Sequence, residues 1–118
     1  MDRLEKAEYL EQYQSYGRRL SRANLEAEQW KSLAELPDCP EAGQELERLR
    51  AEVRSMAADR ECIERAISHV QGSKLREIME LRYLSGMTWK DVAEATYTDE
   101  RWVRRLHDRA MDKIDLEF

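Results

Sequence analysis

Apolar residues in this chain recur at steps of three, four and seven, and nowhere in strict alternation. In the first third, Leu10, Tyr13, Leu20, Ala27, Trp30 and Ala34 follow that spacing. Such spacing lines one face of a helix and predicts a single long helix over 2–35. Gly17 lies inside the pattern, where it weakens or bends a helix. The segment LPDCPEAG, 36–43, interrupts it, because Pro37 and Pro40 each lack an amide donor and restrict the preceding residue. A second helix is predicted from Glu41 to Val70. Its seam of Leu46, Leu49, Val53, Met56, Arg60, Ile63, Ile67 and Val70 alternates steps of three and four, as heptad positions do. Arg60 is the polar interruption, a device that sets register at some cost in stability. Each predicted helix is about 45–50 Å long at about 1.5 Å per residue. Rods this thin bury little surface alone, so a partner chain is expected.

The pattern changes after QGSK, 71–74, where Gly72 suits the position after a helix end and Ser73 a helix N-cap. KLREIMELRYLSG supplies a short apolar face of Leu75, Ile78, Met79, Leu81 and Leu84, and Gly86 stops it. TWKDVAEA starts at Thr88 with Asp91 three residues on, close to a capping box. The last helix is capped by Thr98 or Asp99. The expected fold is all-α. A long N-terminal helical hairpin or coiled coil over 1–72 serves oligomerisation, and a three-helix unit follows over 73–118. Two prolines and four glycines in 118 residues agree with that class.

Composition narrows the function. Charged residues make up 38% of the chain and the mean hydropathy is −0.85, which leaves no apolar run near the roughly 20 residues that span a bilayer. The N-terminus MDRLEKAEYL lacks the basic start and apolar core of a secretory signal. Cys39 and Cys62 have no CxxC spacing and no neighbouring His pair. Reduced thiols, a cytoplasmic location, no metal and no cofactor are therefore expected. The net charge of −5 argues against nucleic acid, yet its distribution is uneven. Residues 1–72 carry 11 basic and 15 acidic residues, whereas residues 73–114 carry nine basic and eight acidic.

The basic residues concentrate in YTDERWVRRLHDRAMDKI, 97–114. At about 100° per residue, Val103, Leu106, Ala110 and Ile114 share one side. Arg101, Arg104, Arg105, Asp108 and Asp112 share the other, with Arg109 at its edge and Trp102 on the flank. A solvated face and a DNA-reading face both fit this layout. A helix-turn-helix presents the first turns of its second helix to base edges, and arginine pairs bidentately with guanine and phosphate. Candidate DNA contacts are Arg101, Arg104, Arg105 and Arg109, with Thr88, Lys90 and Thr98 on phosphates. Asp99 and Glu100 suit the positive end of the helix but oppose phosphates.

The order of residues 75–114 resembles region 4 of bacterial sigma factors. The matching positions are Leu81, Tyr83, Gly86, Thr88–Trp89, Val92–Ala93, Asp99, Val103 and Ala110. Tyr97 departs from the pattern, because the family usually has glycine in that turn, and a tyrosine prefers φ below zero. The N-terminal KAEYLEQYQSYGRRL, its long helix and its proline-containing break look like small phage-encoded proteins of Gram-positive hosts. Some of that group, the ArpU- and RinA-like proteins, are late-gene transcription regulators. The resemblance implies a phage or prophage regulator of a bacterial host cell, with helix 99–114 in the major groove of double-stranded DNA. It also implies contact with host RNA polymerase; homodimerisation would come from the long helices.

Two other classes remain open: a DNA-packaging adaptor like a terminase small subunit, and a protein-binding helical module that grips polymerase without touching DNA. The chain has no room for a promoter-melting domain. Met56, Met79, Met87 and Met111 read as core filler, and Trp30 and Trp89 as packing anchors. Tyr9, Tyr13 and Tyr16 read as contacts between the long helices. Trp102 suits helix packing or stacking on a base. His69 and His107 have no carboxylates at metal-ligand spacing. With no phosphate-cradling glycine loop and no nucleophile motif, the expectation is a protein that is not an enzyme.

Overall fold

A computed structural model describes residues 1–116. The chain is all-helical, with no strand among the described residues. Helix α1 spans Arg3–Ala34 and α2 spans Pro40–Ser68. Pro40 opens α2 because the first helical position has no intrahelical use for an N–H. Helix α3, Ser73–Met79, runs on into a π-helical stretch, Glu80–Leu84. Helices α4, Trp89–Ala95, and α5, Glu100–Lys113, follow. No described helix is long and apolar enough to cross a membrane.

Contacts divide the chain into two compact units, Ser15–Glu61 and Met1–Gln14 with Cys62–Phe118, rather than at residue 72. In the first, α1 and α2 pair within one chain. Tyr16, Ala23, Ala42, Leu46, Leu49 and Met56 are buried, and Leu20, Ala27, Trp30 and Val53 half-buried. The predicted seams therefore face inward, joined by Tyr16 and Ala23. Arg60 is half-buried opposite Gly17, where a Cβ would stand 3.9 Å from its guanidinium. Helix α1 continues unbroken through Gly17. Leu25, Leu33 and Leu36 stay exposed.

In the second unit, α5 packs against both α3 and α4. Ile63, Ile67, Ile78, Met79, Val92, Val103, Ala110 and Met111 are fully buried or nearly so, and Leu10 and Tyr13 of α1 are buried as well. The first turns of α1 belong here because their polar groups satisfy backbone carbonyls at helix ends. Gln14 Nε2 donates to Tyr83 O at 3.2 Å and Leu84 O at 2.7 Å. Lys6 Nζ donates to Met111 O at 2.7 Å and Ile114 O at 3.4 Å, placing a cation at the negative end of α5. Lys74 Nζ does the same for α4 through Thr96 O at 3.0 Å. Gly86 has φ 72°, and a Cβ there would stand 3.1 Å from the Gln14 side chain. Glycine thus serves both the left-handed turn and the approach of Gln14.

Caps mark the short helices. Thr88 Oγ1 accepts from Asp91 N–H at 3.2 Å, and Asp99 Oδ1 from Trp102 N–H at 2.7 Å. Asp99 is thus the cap of α5, and Thr98 lies outside the helix. Gly72, with φ 100°, takes the N-cap position of α3, and Ser73 is its first helical residue.

Candidate functional site

Helix α5 turns Val103, Leu106, His107, Ala110 and Met111 inward, and Arg101, Arg104, Arg105 and Arg109 lie exposed on its other side. The structure sorts the cations of 73–114 by employment. Arg76 and Arg82 donate to Val70 O and Met87 O, and Lys74 caps α4. Arg104 Nη2 meets Glu100 Oε1 at 3.3 Å, and its Cζ stands 5.3 Å from the centroid of the Trp89 ring. Arg109 lies 5.7 Å from the Trp102 ring. Among the described residues, Lys90, Arg101, Arg105 and Lys113 make no ion pair or side-chain hydrogen bond. Thr88 is exposed with its oxygen engaged as a cap. Thr98 is half-buried, its hydroxyl donating to Thr96 O at 2.9 Å, so that group faces its own turn rather than solvent.

Three features have no local signal in the sequence. First, Trp89 is a platform for two guanidinium groups: Arg82 Cζ stands 4.5 Å from the ring centroid, in addition to Arg104, a favourable cation–π geometry. Second, this platform also reaches the core. The Trp89 and His107 rings meet edge-on at 4.6 Å, and His107 Nε2 lies 2.6 Å from Tyr83 Oη. Asp108 Oδ1 stands 3.3 Å from His107 Nδ1. A carboxylate only accepts, so Nδ1 carries the proton and Nε2 accepts from the Tyr83 hydroxyl. Burial holds His107 below the usual histidine range against the opposing pull of Asp108. Burial also pushes Tyr83 up to about 12. Both groups are therefore neutral near pH 7, as a buried hydrogen-bonded pair requires. Third, Arg3 spans 109 residues of sequence to bond Asp112 through Nε at 2.8 Å and Nη2 at 2.7 Å, with Nη1 3.7 Å from Asp108. The guanidinium holds the Asp112 carboxyl below the ordinary carboxylate range.

Tyr97 adopts φ 54°. Thr98 N–H donates to Ala93 O at 3.0 Å and Tyr97 N–H to Glu94 O at 3.3 Å, the pair of bonds that ends a helix through a left-handed residue. The turn thus keeps a glycine-type geometry with a tyrosine in it. The residue is 98% exposed, and among the described residues its side chain makes no hydrogen bond or ring contact that would offset the cost of that backbone.

Cys39 and Cys62 are free thiols, and no group of three or more His, Cys, Asp or Glu among the described residues is placed to hold a metal ion. A half-open cleft of about 320 Å³ lies at the C-terminal end of α5, between Tyr9, Arg65, His69, Lys113 and Leu116. No protein-family model, curated protein or solved structure matches the chain.

Proposed function

We propose that this protein is a DNA-binding transcription regulator of the phage or prophage type, and that the N-terminal turns of α5 enter the major groove of double-stranded DNA. The observation that carries the reading is the pair Arg101 and Arg105. They lie four residues apart on the exposed side of α5, with no intrachain partner among the described residues. An unengaged guanidinium forks toward guanine or phosphate without first breaking an internal bond. Arg104 and Arg109 flank the pair, each resting on an indole ring. Lys90 and the capped start of α4 supply phosphate contacts beside them. The protein acts as a homodimer, a reading supported by the exposed Leu25, Leu33 and Leu36 of the hairpin unit.

Selection of bound sequences from a random duplex pool, with the purified full chain, tests this reading. A recurring site should emerge, bound more weakly as salt rises. The double variant Arg101→Ala/Arg105→Ala should lose about 30-fold in affinity or more, at roughly 1–3 kcal/mol per bidentate contact. Equal affinity of variant and wild type would sink the mechanism. Mass measurement of the free protein should give a dimer; a ring of many copies would favour a packaging adaptor.

A second reading, a module that grips RNA polymerase or another protein, is favoured by Tyr97 at 98% exposure and Trp102 at 39%. Exposed aromatic rings of this kind anchor protein interfaces.

A further inference from the structure

The exposed stripe of α5 is not uniformly basic. Steps of four, three and four carry it from Arg101 through Arg105 and Asp108 to Asp112, so two carboxylates continue the line that two arginines begin. Left bare, they would repel the phosphates that the arginines attract, within a Debye length of about 10 Å at moderate salt. The chain supplies its own counter-charge from its other end. Asp2 Oδ1 accepts from Glu5 N–H at 2.9 Å and caps the start of α1. Lys6 anchors the next turn on the α5 carbonyls. Between them, Arg3 forks onto both oxygens of Asp112 and lies 3.7 Å from Asp108. About half of the Arg3 side chain stays exposed, so the ion pair sits at the rim of the arginine face rather than beneath it.

We infer that Arg3 is a positioning residue for DNA binding: by offsetting one of the two negative charges of Asp108 and Asp112 it weakens their repulsion of phosphates and lets the duplex lie along α5 beyond the arginines themselves. The first turn of α1 is then part of the docking surface for the duplex. This rests on the DNA-binding reading above. A solvent-exposed ion pair contributes little to folding, whereas a bidentate fork between two anchored neighbours holds the Arg3 charge in place beside Asp112 and Asp108.

The test compares the full chain with Arg3→Ala, Asp108→Asn/Asp112→Asn, and the triple variant on one selected duplex at low ionic strength. The amide introduced at position 108 keeps an oxygen to accept from His107. Arg3→Ala should weaken binding about tenfold, as expected for exposing like charge beside bound phosphates. The triple variant, which removes both carboxylates together with Arg3, should bind at least as tightly as the wild type. Thermal melts followed by circular dichroism should be nearly the same for all four proteins. Unchanged affinity of Arg3→Ala, on a duplex that the wild type binds, overturns the inference and leaves the DNA reading standing. A loss that persists in the triple variant also overturns it, assigning Arg3 a direct or purely structural part. Absence of any duplex binding by the wild type removes the DNA reading and this inference together.

Discussion

In the hairpin unit, the buried residues of α1 and α2 follow one seam, and most positions on the other faces are exposed. In the C-terminal unit, helices as short as seven residues are held by neighbours on more than one side, and Ile78, Val92, Val103 and Met111 are shut off from solvent entirely. Helix length compensates for packing depth. A long helix repeats a modest contact many times, whereas a seven-residue helix is unstable alone and exists only where caps and a closed core hold it. The difference also sorts the polar groups. Exposed ion pairs of the hairpin, such as Arg48 with Glu45 and Glu52, decorate a surface. In the C-terminal unit, Lys6, Gln14 and Lys74 satisfy specific carbonyls that the short helices leave open.

The comparison is tested first by cavity formation. Ile78→Ala, at a site with no exposure, should cost about 3–5 kcal/mol. Leu46→Ala on the hairpin seam should cost nearer 2 kcal/mol, because that site relaxes into solvent. Equal losses in urea unfolding would erase the distinction between deep and shallow packing.

A smaller effect separates the units by pH. Burial depresses His107 in the folded chain, so the unfolded state binds its proton more readily. The associated stability is complete above the unfolded value of about 6.5 and drains away as pH falls toward the depressed folded value. Asp108 opposes the depression, while Arg82 and Arg104 reinforce it. Thermal melts should show acid sensitivity beginning near pH 6.5, and His107→Gln should remove that part of the profile. A profile that keeps the same shape in the variant would mean that other groups control it.

The smallest predicted change has the opposite sign. Tyr97→Gly should raise stability by about 1 kcal/mol, since glycine adopts φ 54° without a Cβ clash. If the exposed ring serves a protein partner, the same variant should become more stable and lose that partner in a pull-down with RNA polymerase. Binding unchanged by the substitution would remove the observation that favours the second reading.

Local pattern carried much of the fold. The two long seams, the breaks near 36–39 and 72, Thr88 as a cap and the inward face of α5 all follow from residues within a few positions of one another. The alternatives for the α5 cap were resolved in favour of Asp99, whose carboxylate reaches Trp102 N–H. The candidate site was legible only as a stripe of arginines. Which of them are engaged depends on Trp89 and Glu100, and Thr98 spends its hydroxyl on its own turn. Nothing in the immediate neighbours of His107 announces Tyr83 as its partner.

The sequence by itself determined which segments are helical and which face of each is apolar, because those properties arise from 3.6-residue periodicity, proline and glycine breaks, and caps three residues apart. Tertiary structure alone decided the pairing of Tyr83 with His107, the two guanidinium groups on Trp89, and the reach of Arg3 to Asp112. These contacts join residues up to 109 positions apart. Side-chain charge and hydrogen-bonding capacity are written in the sequence, but the partner that satisfies them is chosen only when packing brings distant helices to within about 3 Å.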